Sequence, residues 1–233
     1  VIDTALSVRA GRAEGAFYFG WPIFIERTRA LKIPFTLKGV LVLCWLWSFS
    51  CASLGHRPGE SVSGGDLVLS IRGRNPQQVL LKLPRGHDDN RRYTLLVALH
   101  GNGGTPEGLS PAFQGFREEQ ILVALPRGGY PTANGGHSWF YKTPDRSLWE
   151  REDKLSVSRI ADVITELSGL YPIGRVYVLG FSQGATLAYM TGLRHPELVA
   201  GVAAISGIMP EIDTEGAILR AADIEKAKGL RMF

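Results

Sequence analysis

The stretch "RVYVLGFSQGATLAYMTGL", residues 175–193, limits the fold more than any other part of the chain. An apolar, β-branched run ends at Gly180, and a helix-like pattern begins just after Ser182. Only a sharp strand-to-helix turn fits between them. Gly-x-Ser-x-Gly alone is weak, because a chain with 28 glycines can carry it by accident. The flanking strand and helix change that. Such a turn forces two backbones together, so Gly180 and Gly184 stand where a side chain would not fit. The turn lifts the Ser182 oxygen above the sheet. It also puts the amide of Gln183 at a helix N-terminus, where partial positive charge favours a developing oxyanion. The plainer alternative is a serine that only caps the helix.

The rest of the chain supplies a sheet around this turn. "DLVLSI" (66–71) and "QVLLKL" (78–83) are predicted strands joined by a turn-rich segment. "YTLLVALHG" is a continuous apolar run, suited to a central strand buried on both faces. "ILVALP" (121–126), "RVYVLGF" and "VAGVAAIS" (199–206) are further strands, and "LRMF" begins another. Helices are predicted at 105–120, from Lys154 to Leu170 with Asp153 as cap, at 183–194 and at 215–227. In the second of these, Val157, Ile160, Ala161, Ile164 and Leu167 share one face. Residues 127–150, rich in glycine, proline and aromatics, form a long surface excursion. Alternating strands and helices give an α/β fold with a doubly wound, mostly parallel sheet and antiparallel N-terminal strands. The domain spans residues 66–233.

A second piece of chemistry sits at the end of an earlier strand, in "ALHGNGGT". A Gly-rich turn there can aim amides into the space above Ser182, and Asn102 is the expected second oxyanion donor, by its backbone. "GFSQGA", "ALHGNGGT", "GGHSWF" and "HPELVAGVAAISGIMP" together resemble the phospholipase/carboxylesterase family of α/β-hydrolases, relatives of the acyl-protein thioesterases, over about residues 90–233. The resemblance implies hydrolysis of esters or thioesters through an acyl-serine on Ser182, with the Asn102 and Gln183 amides as oxyanion donors. It also implies that Ser138, Trp139 and Phe140 line the acyl pocket, while His137, in the same loop, could approach a substrate. Taken without the family, that aromatic cluster could equally be core or loop packing. No cofactor and no metal are implied, and the expected partner is a small-molecule or lipid ester.

A serine hydroxyl needs a base, and the base needs an orienting carboxylate. In this fold the order is serine, acid, histidine. His195 is the one histidine after Ser182, and it closes the very helix that Ser182 opens. At 1.5 Å per residue it stands roughly 20 Å from the serine, far beyond hydrogen-bond reach. His56 lies in a linker, His87 in a polar turn, and His100 beneath the Gly-rich loop. His137, on a flexible loop, would be an unusual base. The expectation is a C-terminally truncated chain whose last strands, acid and histidine lie beyond Phe233, leaving activity strongly impaired. A non-catalytic ligand-binding protein of the same fold is the alternative, as is a secreted polyester or feruloyl-type esterase or a peptidase relative.

The first 52 residues are set apart. They hold six arginines and lysines against three acids, whereas residues 53–233 hold 20 against 19. The basic balance of the whole, +4, therefore belongs mostly to this leader and signals no nucleic-acid surface. "GVLVLCWLWSFSCASLG" (39–55) is too short for a comfortable membrane span, and with its positive flank and small residues it fits an export signal. Cleavage is expected after Ala52, or before Cys51 if that cysteine carries lipid, and residues 53–65 form a linker. Export to the periplasm or medium follows, unless the leader reflects a wrongly placed start. Cys44 and Cys51 are the two cysteines. A processed protein would have no disulfide and would be stabilised by packing.

Overall fold

The computed structural model describes residues 66–71, 76–141 and 143–233. The leader and linker, with their expected cleavage or lipidation, lie outside the described residues. Among the described residues, seven strands make one sheet: β1 (Asp66–Ile71), β2 (Gln77–Lys82), β3 (Tyr93–Leu99), β4 (Ile121–Pro126), β7 (Ile173–Phe181), β8 (Gly201–Ile205) and β9 (Arg231–Met232). Their order is β1-β2-β4-β3-β7-β8-β9. β1, β2 and β4 pair antiparallel, while β4, β3, β7, β8 and β9 run parallel. β5 (Tyr130–Pro131) and β6 (His137–Ser138) form a separate antiparallel pair. The doubly wound α/β sheet with an antiparallel start is thus the observed architecture.

The helices are α1 (Pro106–Leu109), α2 (Trp149–Leu170), α3 (Gln183–Arg194) and α4 (Ala221–Lys226), with 3-10 turns at Ser110–Glu118 and Arg146–Leu148. The continuous apolar run of β3 is covered on both faces. Leu95, Val97 and Leu99 join a core with Ile160, Leu167 and Leu187 of α2 and α3. Leu96 and Ala98 face the other way, onto Leu109 and Phe113. Each such side chain, removed from water, contributes about 1.5–3 kcal/mol. Residues facing only one layer could not carry this pattern, which is why β3 reads as apolar throughout.

Three expectations shift. Asp153 is not the cap of the long helix but a buried residue within it. Asp145 instead accepts from the Ser147 amide and starts the 3-10 turn that runs straight into α2. The buried face of α2 then uses Val163 where Ala161 was expected. The last helix is shorter than residues 215–227. It begins at Ala221, where Asp223 Oδ2 accepts from the Arg220 amide at 2.8 Å, and a turn occupies the preceding residues.

Candidate active site

β7 and α3 meet at Ser182, as the sequence requires. Ser182 has φ 51° and ψ −118°, a left-handed conformation that costs a non-glycine residue energy. Its amide donates to the Ile205 carbonyl at 2.9 Å, so β7 keeps its ladder to β8 up to the turn. The two glycines are explained by contact. A Cβ on Gly180 would lie 2.1 Å from the Gly184 oxygen, and one on Gly184 would lie 2.5 Å from the carbonyl oxygens of Leu99 and His100. The half-buried Ser182 side chain makes no capping hydrogen bond to α3. The helix-cap reading therefore fails.

The Gly-rich loop after β3 lies against this turn: a Cβ on Gly101 would be 3.4 Å from the Ser182 Cβ. Asn102 follows at an exposed position. Among the described residues, neither the Asn102 nor the Gln183 amide donates to a backbone carbonyl. The Gln183 amide, at the N-terminus of α3 next to Ser182, lies where partial positive charge suits an anion.

The segment at 137–140 does something the sequence did not disclose. Trp139 and Phe140, expected to line a substrate pocket, are 1% and 5% exposed and belong to the core. The Trp139 indole stacks on the His100 ring at 4.7 Å and donates to the His100 carbonyl at 2.8 Å. The Gln183 side chain reaches the same segment. Its Oε1 lies 3.0 Å from the Ser138 hydroxyl and accepts from the Trp139 amide at 2.8 Å, while its Nε2 donates to the Phe140 carbonyl at 2.8 Å. His137 in turn pairs with the Gly-rich loop, donating to Gly104 and accepting from Gly103, both at 2.9 Å. Burial and the nearby Arg127 hold the half-buried His137 below its usual value, against the opposing pull of Glu107.

His100 is fully committed beneath the loop. Its Nδ1 lies 2.7 Å from the Gly101 carbonyl, and its Nε2 accepts from the Gly128 amide at 3.0 Å. That pattern fixes a neutral ring with the proton on Nδ1. Burial pushes its pKa down to about 4, although the Gly101 contact works the other way. His195 closes α3 and pairs with Glu197 at 3.0 Å, and His87 stacks on Tyr93, which begins β3. Nδ1 of His137 is buried without a hydrogen-bond partner. None of these four histidines thus has Ser182 as a partner.

Among the described residues, no group of three His, Cys, Asp or Glu side chains is placed to hold a metal ion. No described helix is long and apolar enough to cross a membrane. A cavity of about 370 Å³ opens at the amino ends of the parallel strands, lined by Arg175, Val199, Leu230 and Arg231 among others. It is at the opposite end of the sheet from Ser182, and Ser182 is not part of its lining.

Residues 87–222 match the sequence profile of the phospholipase/carboxylesterase family. The chain is 27% identical over 125 residues to a putative esterase, NocK, of Nocardia uniformis subsp. tsuyamanensis, covering 52% of this chain and 35% of that protein. It is 31% identical over 137 residues to acyl-protein thioesterase 1 of Mycosarcoma maydis, covering 49% of this chain and 57% of the relative. The chain thus spans well under two thirds of either relative's length. An acetyl xylan esterase from Aspergillus awamori superposes with a TM-score of 0.52 at 20% identity, over 69% of this chain and 56% of the other, a likeness of fold.

Proposed function

The chain belongs to the phospholipase/carboxylesterase family of α/β-hydrolases, and from that premise we propose that Ser182 is the nucleophile of a carboxylic-ester or thioester hydrolase. The observation that carries the reading is the Ser182 conformation. A strained φ of 51° is kept at a residue whose hydroxyl does not cap the helix. Strain of this kind is common where a group must act, and here it falls at the serine that the Gly101 loop packs against.

In the proposed reaction Oγ attacks the carbonyl carbon of the ester, and its proton is passed to a base. The carbonyl oxygen takes the negative charge and is met by the Asn102 and Gln183 amides. Collapse of the tetrahedral species expels the alcohol or thiol, which takes up a proton, and leaves an acyl-Ser182 for water to cleave. The amides require no reorganisation when charge develops, which makes them the larger contribution in this half of the machinery. The proposed base lies outside the four described histidines: His100 is committed to Gly101 and Gly128, His195 pairs with Glu197, His87 stacks on Tyr93, and the His137 ring, whose Nδ1 has no hydrogen-bond partner, makes no hydrogen bond to Ser182. Small or lipid esters are the proposed substrates, and export, by cleavage after Ala52 or lipidation of Cys51, is the proposed destination.

Incubating the 233-residue chain with p-nitrophenyl acetate tests this. Turnover should be very low, as loss of a triad base lowers kcat by about a millionfold in a well-studied hydrolase. Because deacylation needs the same base, a single acetyl should build up on the peptide containing Ser182, and Ser182→Ala should take none. Rapid turnover abolished by Ser182→Ala would mean a base is present after all. An acetyl found elsewhere, or equally in Ser182→Ala, would overturn the nucleophile assignment.

A further inference from the structure

Gln183 offers more than its backbone amide. Its carboxamide ties the turn at Ser182 to the segment at 137–140, and it uses both of its ends. Oε1 takes the Trp139 amide and faces the Ser138 hydroxyl, and Nε2 gives its proton to the Phe140 carbonyl. Ser138 is fully buried and Trp139 nearly so, so these groups have no water to fall back on. A neutral amide has an acceptor at one end and a donor at the other, which a carboxylate lacks.

The tie continues. Directly before Ser138, His137 exchanges two backbone hydrogen bonds with Gly103 and Gly104. The approach there is close: a Cβ on Gly136 would fall 1.9 Å from the Gly103 oxygen. From the other side, the Trp139 indole holds the carbonyl of His100. Asn102 sits between these two anchored ends, its own side exposed.

We propose that the Gln183 side chain is a positioning residue: through residues 137–140 it holds the Gly101–Gly104 loop so that the Asn102 amide faces Ser182. Ser138, Trp139 and Phe140 are then the buttress of the oxyanion loop rather than a lining for the acyl group. The inference rests on Ser182 being the nucleophile. It adds that the two oxyanion amides are set by one residue, Gln183, one through its own backbone and the other through its side chain.

Gln183→Glu provides the test. At neutral pH a carboxylate still accepts from Trp139 and Ser138 but sets an oxygen against the Phe140 carbonyl. Once protonated, its O–H can donate there and rebuild the clasp. Hydrogen exchange at the Gly103 amide, whose acceptor is His137, reads the loop directly. In Gln183→Glu that exchange should be faster than in the parent by on the order of tenfold at pH 7. The difference should close as pH falls toward the usual glutamate range of about 4–5. Acetylation of Ser182 relative to the parent should fall on the order of a hundredfold at pH 7 and recover over the same range. Ser138→Ala, a milder change, should speed Gly103 exchange without any pH-dependent recovery. Unchanged Gly103 exchange in both variants would overturn the proposal, as would a defect in Gln183→Glu that persists in acid while parent protection is intact. If the parent takes no acetyl at Ser182, the nucleophile reading fails. The exchange data then still decide whether Gln183 holds the loop.

Discussion

Gly180→Ala is the sharpest probe of the turn because the obstacle is backbone on every side. The added Cβ would meet the Gly184 oxygen at 2.1 Å, the Gly184 carbonyl carbon at 2.3 Å and the Ala185 nitrogen at 2.5 Å. Ordinary contact begins near 3.4 Å, so relief requires a displacement of more than 1 Å. The first turn of α3 has little room to retreat, since on its far side even a Cβ on Gly184 would lie 2.5 Å from the Leu99 and His100 carbonyl oxygens. Overpacking typically costs 1–3 kcal/mol, and a backbone-only clash blocked from behind belongs at the upper end, about 3 kcal/mol. With a urea dependence of about 2 kcal/mol/M, the unfolding midpoint should drop by about 1.5 M. Gly169→Ala is the control. It lies near the end of α2 with nothing within 4 Å of its Cβ position, and it should gain about 0.5 kcal/mol from lower unfolded-state entropy. Equal midpoints for the two variants would refute the claim that close approach dictates the glycine at 180.

Two further outcomes follow from the same geometry. Ser182→Gly removes the penalty of a side chain at φ 51° and should stabilise the fold by about 1 kcal/mol while abolishing acetylation; a loss of stability would mean the conformation is not strained. For His100, burial holds the folded-state pKa near 4, below the usual 6.5, so the unfolded chain takes up the proton first as pH falls. Its contribution is complete above about pH 6.5, declines between 6.5 and 4, and changes no further below that, for a total of about 3 kcal/mol. Urea midpoints across this window should fall less steeply in His100→Gln, and identical slopes would exclude His100 as the titrating group.

How much of this was legible in the sequence depends on whether a feature is local. The strand–serine–helix turn needs two glycines at fixed offsets, and the apolar run of β3 needs burial on both faces, so both are written in contiguous residues. The helix boundaries were less readable. Asp153 resembles a cap by type, but Asp145 captures the chain about two turns earlier through a 3-10 segment that no apolar period marks. The sequence left the fate of Trp139 and Phe140 open between a pocket lining and core packing. Exposed pocket and buried buttress ask for the same aromatic residues, and what separates them is a hydrogen bond that the Trp139 amide donates to Gln183, 44 residues away. The signal was present in the amide following Ser182, but its partner lies across the fold and no local spacing points to it.

The ties that aim Ser182 share a property that bears on what can disturb them. Its amide is held by the Ile205 carbonyl, its flanks by the packing of Gly180 and Gly184, and the facing loop by Gln183, His137 and the Trp139 indole. Not one of these is an ion pair, so salt, which screens exposed charges, has little to act on. The group beneath them that changes charge in an accessible range is His100. A proton on its Nε2 would set two donors against each other at the Gly128 amide, now 3.0 Å away, directly under the Trp139 ring. Acid should therefore loosen the oxyanion loop through its support before it alters anything at Ser182 itself. The depressed pKa of His100 keeps that from happening near neutrality. Its role is thus to stay uncharged under the loop, the opposite of what a catalytic base must do.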